Sequence, residues 1–374
     1  MIKIKEVKTR RELRLFATYP LKLYKGCPNY VPSLRSDEMG VMNQKHNFSL
    51  AYCDLKCFLA YKDGKLVGRI AGIIQRKYNE LTGRKTIRFS RFECIDDIEV
   101  AKALLQAVED MGKAYGMDTL HGPWGFNDTD REGMLTKGYE HRATYATNYN
   151  YPYMPKFMQE LGFEEEAVWI ERKIFVPKEP FEKTARLAPL IQKRLKLRDV
   201  VREMPLKKVI KKYGDAWFDT YNQAYSELDG FVPIEGKDRK NVLDSFATVI
   251  NPDYFVCLVN EKEEVAGFGV VLADICPALI KHKGKLFPFG FIDVLKAIKH
   301  PKLVEMALVG LKPEYRNSGI NAIIIDTIVS SLIKNGIPYL ESNPTLVTNY
   351  DIQHQWNIME SEITKERKSY TKNI

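Results

Sequence analysis

The sequence predicts an α/β protein of the mixed-sheet (α+β) kind, built as two copies of one fold in tandem. Three observations carry this. The order strand, helix, loop, hairpin, strand, helix, strand can be read twice along the chain. At 374 residues the chain has room for two or three domains of about 100–200 residues each. A basic stretch at 177–196, holding Pro177, Pro180 and Pro189, separates the two copies.

In the first copy, 2–7 reads as a strand and 9–24 as a helix that offers Leu13, Phe16, Leu21 and Tyr24 for packing. A loop rich in Pro, Asn and Ser reaches to position 51. Residues 57–62 and 66–75 form a hairpin around Lys62-Asp-Gly-Lys65, whose Asp-Gly suits a tight turn. Residues 86–94 are a strand, and 97–115 an amphipathic helix closed by Gly116. A short strand at 119–122, a helix at 155–161 and a strand at 167–176 complete the copy.

The second copy opens with a strand at 200–204 and a helix at 206–225. A hairpin spans 254–260 and 265–273, followed by a strand at 302–311, a helix at 321–334 and a strand at 338–342. A helix at 347–356 and a last strand at 365–370 end it. The expected units are therefore 1–176 and 197–374, joined by a linker at 177–196 that carries a helix of its own.

Composition is that of a globular protein. The formal net charge of +9 admits nucleic acid, an anionic membrane or a polyanionic cofactor as a partner. No zinc-finger, RNP or basic-zipper pattern accompanies it, which argues against nucleic acid. The six cysteines lack CxxC spacing, and Cys53 and Cys57 have no nearby His, so no metal is expected. The charged start Met-Ile-Lys-Ile-Lys is unlike a signal peptide, and no apolar run approaches the roughly 20 residues that span a bilayer. A cytoplasmic location is the expectation.

Chemistry concentrates between the strand at 302–311 and the helix at 321–334. The intervening Arg316-Asn-Ser-Gly-Ile-Asn321 presents backbone N–H groups at a helix N-terminus. Such groups lack intrahelical partners and sit at the positive end of the dipole, so they suit an anion. Gly319 lets a phosphate approach the backbone. The bland alternative is an ordinary strand-to-helix turn.

Arg-x-x-Gly in this setting resembles the pyrophosphate loop of the GNAT superfamily of N-acetyltransferases, which binds coenzyme A. Asn321 stands where that loop usually has Gly or Ala. The twice-read element order resembles two tandem GNAT folds. More specifically, the chain resembles the YghO-like family of double-GNAT proteins. The stretches that carry this are Val67-Gly-Arg-Ile-Ala-Gly72, 91–101, His121-Gly-Pro123, Gly267-Phe268 with Asp274, and 312–319. Bacterial ceramide synthases, which join an acyl group from acyl-CoA to a sphingoid amine, resemble this family too.

The resemblance implies an acyl-CoA-dependent N-acyltransferase that acylates a primary amine, the option of a lipid or sphingoid amine included. The cofactor is acetyl-CoA or a longer acyl-CoA, used as substrate. Backbone of Leu308, Val309 and Leu311 would bond its pantetheine arm. Arg316, Asn317, Ser318, Gly319, Ile320 and Asn321 would hold its pyrophosphate. Glu305, on the strand leading to the loop, and Glu341, ending the next strand, are the two candidate general bases; either reads equally as a plain strand-end carboxylate. The superfamily's tyrosine acid, expected seven residues after Asn349, is replaced by Trp356, and Tyr350 is the substitute offered. In the first unit, Asp96, Asp97 and Glu99 fill the place of the phosphate loop; they suit a helix N-terminus and repel pyrophosphate. That unit reads as a degenerate partner.

The connection 274–301 is long and interleaves aromatic residues with lysines. It reads as an acceptor-site cover, as a membrane-surface segment at the inner face of the membrane, or as a packed insert sealing the seam between the units. The competing class for the whole chain is a catalytically inactive module that binds acyl-CoA or another ligand. The absent tyrosine and the degenerate first unit favour it.

Overall fold

A computed structural model describes residues 1–128, 130–228, 230–236, 239–240, 242–243, 249–349 and 359–374. Fourteen strands join one mixed sheet. The first half of the chain supplies β1 (Ile2–Glu6), β2 (Cys53–Lys62), β3 (Lys65–Gln75), β4 (Thr86–Cys94), β5 (Thr119–Gly122), β6 (Met134–Lys137) and β7 (Glu164–Phe175). The second supplies β8 (Arg198–Asp199), β9 (Phe255–Val259), β10 (Val265–Ala273), β11 (Val304–Leu311), β12 (Tyr339–Glu341), β13 (Thr345–Leu346) and β14 (Ser361–Asn373).

The path across the sheet is β1-β2-β3-β4-β5-β14-β7-β12-β11-β10-β9-β8, with β13 on β7 and β6 on β14. Each half therefore lends its last long strand to the other. β14, the C-terminal strand, lies between β5 and β7; β7 lies between β14 and β12. Long antiparallel pairing of β7 with β14 closes the middle. The buried charges Glu171, Lys365 and Arg367 meet there.

Helices cover both faces. α1 (Arg10–Leu23) starts at a capping box in which Thr9 and Glu12 satisfy each other's backbone N–H groups. α2 (Arg35–Gly40) and α3 (Arg76–Thr82) follow, and α4 (Ile98–Ala114) buries Val100, Leu104, Leu105 and Val108 on strands of the first half. α5 (Tyr153–Glu160) adds Met154 and Met158 to that core. α6 (Glu182–Arg194) and α7 (Val200–Glu203) lead to α8 (Leu206–Tyr225), which buries Tyr213, Phe218 and Tyr221 on one face of the second half. α9 (Cys276–His282) and α10 (Gly290–Lys299) form the insert, and α11 (Ile320–Lys334) packs Ile320, Ile324 and Leu332 on the opposite face, with Ala188 of α6.

Most expected elements are present, with shifted ends. The strand expected over 200–204 is instead α7. The Asp199 carboxylate accepts the Val201 N–H at 3.1 Å and starts a helix there, leaving Arg198 and Asp199 to pair with β9. The helix expected over 347–356 falls outside the described residues from position 350 onward, and Asn349 closes a turn on the Leu346 carbonyl at 3.0 Å.

The insert packs across the seam, one of the three expected readings. Its inner side seals the seam: Cys276 and Leu279 pack with Tyr24, Val31 and Leu135 of the first half. Its outer side leaves Phe287 78% and Phe289 67% exposed.

Candidate active site

β11 and β12 run parallel only where Val304 pairs with Leu340 and Glu305 with Glu341. Beyond that pair the strands part. β12 ends and the chain turns to β13 on β7, while β11 continues to Leu311 along β10. Val270 faces Leu308 and Val271 faces Met306, so Ala307 is the extra residue of a β-bulge.

The wedge is a cavity walled by 306–309 on one side and 342–346 on the other. Trp124, Asp128, Glu132 and Trp169 of the first half close it. Side chains occupy the free edge of β11. Asn343 Nδ2 donates to the Ala307 carbonyl at 2.7 Å. The Tyr225 hydroxyl donates to the Val309 carbonyl at 3.1 Å and accepts the Val309 N–H at 3.3 Å. Among the described residues, a second, apolar pocket beneath α8, between Val209, Trp217 and Leu243, is lined by no carboxylate or basic side chain.

Glu305 is fixed by strand alternation. Val304 and Met306 belong to the core under α11, so the residue between them faces the other side of the sheet. There the Glu305 carboxylate accepts the Tyr145 N–H at 3.0 and 3.2 Å and the Cys276 thiol at 3.2 Å. Asp274 is nearby, paired with Arg142 at 2.6 Å and capping the Cys276 N–H at 2.9 Å. Burial pushes the Glu305 carboxyl up to about 7; the Asp274 charge adds to this, and the bonds from Cys276 and Tyr145 oppose it. Burial, with the two carboxylates beside it, holds the Cys276 thiol well above its ordinary value, so it stays a thiol near neutrality. Asp274, Cys276 and Glu305 bring three ligand-type atoms within 4.8 Å of one another, already engaged by Arg142 and Tyr145.

Glu341 is differently placed. Lys365 Nζ lies 3.2 Å from its carboxylate and 3.0 Å from Glu171, so Glu341 belongs to the ionic network at the strand crossing. Tyr350 lies outside the described residues.

The loop before α11 bends twice into left-handed backbone, at Asn317 (φ 62°) and Gly319 (φ 89°). Among the described residues, the N–H groups of Asn317, Gly319, Ile320 and Asn321 have no hydrogen-bond acceptor. Alternating left- and right-handed backbone of this sort forms an anion-binding concavity. A side chain at 319 would strain that conformation and meet Ile191 Cδ1 at 2.8 Å. Ser318 gives its hydroxyl to the Tyr315 carbonyl at 2.7 Å, and its own carbonyl accepts from Arg194 at 2.6 Å. Arg316 is held loosely, 3.6 Å from Glu227. Leu308 and Val309 line the cavity, whereas Leu311 packs against the core under α11.

Among the described residues, the first half shows neither feature. By sheet register, Arg88 opposite His121 matches Glu305 opposite Glu341. Arg88 is buried beneath the rings of Tyr78 and Trp124, its guanidinium carbon 4.5 and 5.0 Å from their centroids. The strands there stay closed, since the Trp124 N–H bonds the Phe89 carbonyl at 2.8 Å. The N-terminus of α4 is satisfied by Asp97, which accepts the Glu99 N–H at 3.1 Å and pairs with Lys62 at 2.5 Å.

Tyr145, Tyr225, Asn343, Asp128 and Glu132 escaped the sequence reading. Tyr225 ends α8, the other four lie in segments without periodicity, and the tertiary fold assembles them.

No family model matches the chain. Solved structures align over all of it. A tandem GNAT protein from the clavulanic acid biosynthesis pathway matches with TM-score 0.54 at 11% identity, covering 100% of this chain and 98% of that one. A GCN5-related N-acetyltransferase from Sphaerobacter thermophilus matches with TM-score 0.53 at 10% identity, covering 100% and 95%. The fold is thus that of a tandem GNAT protein. Protein YghO of Escherichia coli is 24% identical over 375 aligned positions, covering 98% of this chain and 94% of YghO. A bacterial ceramide synthase of Caulobacter vibrioides is 26% identical over 323 positions, covering 83% and 81%. Along nearly its whole length the chain is similar to YghO, a likeness that falls within the tandem GNAT class the fold defines.

Proposed function

We propose that the protein is an acyl-CoA-dependent N-acyltransferase that transfers an acetyl or longer acyl group to a primary amine. The parting of β11 from β12 just after Glu305 carries this reading. It opens a cavity along a strand edge that leads to four unpartnered N–H groups and Arg316. The loop 316–321 would hold the pyrophosphate, and the edge of β11 from Leu308 to Leu311 the pantetheine arm. The amine nitrogen attacks the thioester carbonyl, the C–S bond breaks, and the sulfur leaves as thiolate. Glu305 takes the proton that the amine sheds, a task suited to a carboxyl poised near 7. Glu341 is the second candidate base, available once its pair with Lys365 opens, and Tyr350 the proposed acid for the thiolate. Residues 197–374 would be the acyl-CoA unit and 1–176 its degenerate partner without a phosphate loop.

The name of the Caulobacter relative supports a lipid or sphingoid amine as acceptor. The exposed aromatic side of the insert supports a cytoplasmic protein that touches the inner face of a membrane. No described helix is long and apolar enough to cross one.

A second reading, an inactive acyl-CoA-binding module, is favoured by Tyr225 and Asn343, which occupy the edge of β11. Mass-spectrometric turnover of acyl-CoAs against a panel of soluble and lipid amines, with free thiol followed in parallel, separates the two. Amide product with stoichiometric thiol supports the enzyme. Coenzyme A binding without product supports the module, and no coenzyme A binding at all overturns both.

A further inference from the structure

The wall of the cavity that faces β11 comes from the first half of the chain, the half without a phosphate loop. That wall carries two carboxylates, Asp128 and Glu132, and two indoles, Trp124 and Trp169. Among the described residues lining the cavity there is no lysine or arginine. Arg88, a buried cation of the same half, donates to the carbonyls of Gly125 and Phe126 and lies against the Tyr78 and Trp124 rings.

The two carboxylates are held in place. The Tyr221 hydroxyl donates to Asp128 Oδ2 at 2.7 Å, while Asp128 Oδ1 is buried with no hydrogen-bond partner among the described residues. The Trp124 indole N–H donates to Glu132. The two indoles meet edge to face, centroids 6.4 Å apart. A buried carboxylate oxygen without a donor is costly unless a ligand supplies one. Negative charge beside aromatic faces suits an organic cation whose N–H groups bond the carboxylates and whose carbon chain lies on the rings.

We propose that Asp128 and Glu132 hold the ammonium head of the acceptor amine in this cavity, with Trp124 and Trp169 against its carbon chain. This rests on the reading of the cavity as the place where thioester and amine meet. It gives the first half a task of its own: it recognises the acceptor, while the second half holds the acyl donor. The ligand class is a primary alkylammonium.

The test uses the full-length protein and two probes of equal length, octylamine and octanol, by calorimetry at neutral pH. Coenzyme A is titrated separately. Wild type is expected to bind octylamine more tightly than octanol. Asp128→Asn should weaken octylamine roughly tenfold or more, as for loss of a charge-assisted bond, and leave octanol and coenzyme A unchanged. Glu132→Gln, a conservative change with the same reach, gives an independent reading should the first variant misfold. Equal binding of the two probes, or octylamine binding unchanged in both folded variants, overturns the proposal. Failure of coenzyme A to bind wild type, with the amine preference intact, overturns the acyltransferase reading and supports the cation site.

Discussion

Lys365 and Glu171 lie 3.0 Å apart and almost wholly out of water, where the C-terminal strand crosses the last long strand of the first half. Arg367 joins the same carboxylate, and Glu341 joins the lysine. Two carboxylates and two cations thus balance at the centre of the sheet. Burial works to raise the Glu171 carboxyl, yet Arg367 and Lys365 hold it below its ordinary range.

Removing one partner strands the others. Glu171→Gln is expected to cost about 3–5 kcal/mol in urea unfolding, the usual cost of an uncompensated buried charge. The exposed pair Lys196–Glu261 is the control, and breaking it should cost about 0–1 kcal/mol. The pH dependence follows from the lowered carboxyl. Its contribution is present above the unfolded value of 4.5 and is lost as pH falls through the folded one.

Glu305 titrates the opposite way. Its folded pKa is raised from 4.5 to about 7, so between those values the folded state holds the proton more tightly and stability falls as pH rises. Glu305→Gln removes that penalty: its Tm should exceed that of wild type at pH 8 and match it at pH 4. Turnover of wild type should climb to a plateau above about pH 7. The variant should lose about 100-fold or more and show a flat profile, with coenzyme A still bound. An unchanged profile would remove Glu305 from proton transfer.

The two helix N-termini should behave differently. Arg316→Glu puts a carboxylate beside the free N–H groups and should abolish most coenzyme A binding in calorimetry. Asp97→Ala takes away the cap of α4 and its pair with Lys62, costing about 1 kcal/mol of stability. Coenzyme A affinity should not change with it. One site per chain is the expected stoichiometry.

Exchange of Phe287, Phe289 and Phe291 for serine should leave Tm nearly unchanged, because the first two are largely exposed and the third is 37% exposed. Co-sedimentation with anionic phosphatidylglycerol vesicles should fall. So should turnover of vesicle-embedded amines, more than that of soluble ones. Equal losses on both would mark the insert as a cover of the cleft.

Read alone, the sequence determined the local part of this protein. Helical spacing placed α8 to the residue, and the Asp63-Gly64 turn joined β2 to β3. Glu305 and the loop at 316–321 were legible because a strand, a glycine and a helix start are consecutive in the chain. It went astray at 200–204, where apolar Val200 and Val201 suit a strand as well as a helix and the Asp199 cap settled the matter. Tertiary structure alone decided the rest. Strand pairing joins residues far apart in sequence, as Lys365 with Glu171, and no local period encodes which half a strand will join. That crossing brings Asp128 and Glu132 to the edge of β11, Tyr145 to Glu305 and Lys365 to Glu341. It thereby decides which carboxylate is ion-paired, which is buried beside a thiol, and which keeps one oxygen without a donor in the cavity.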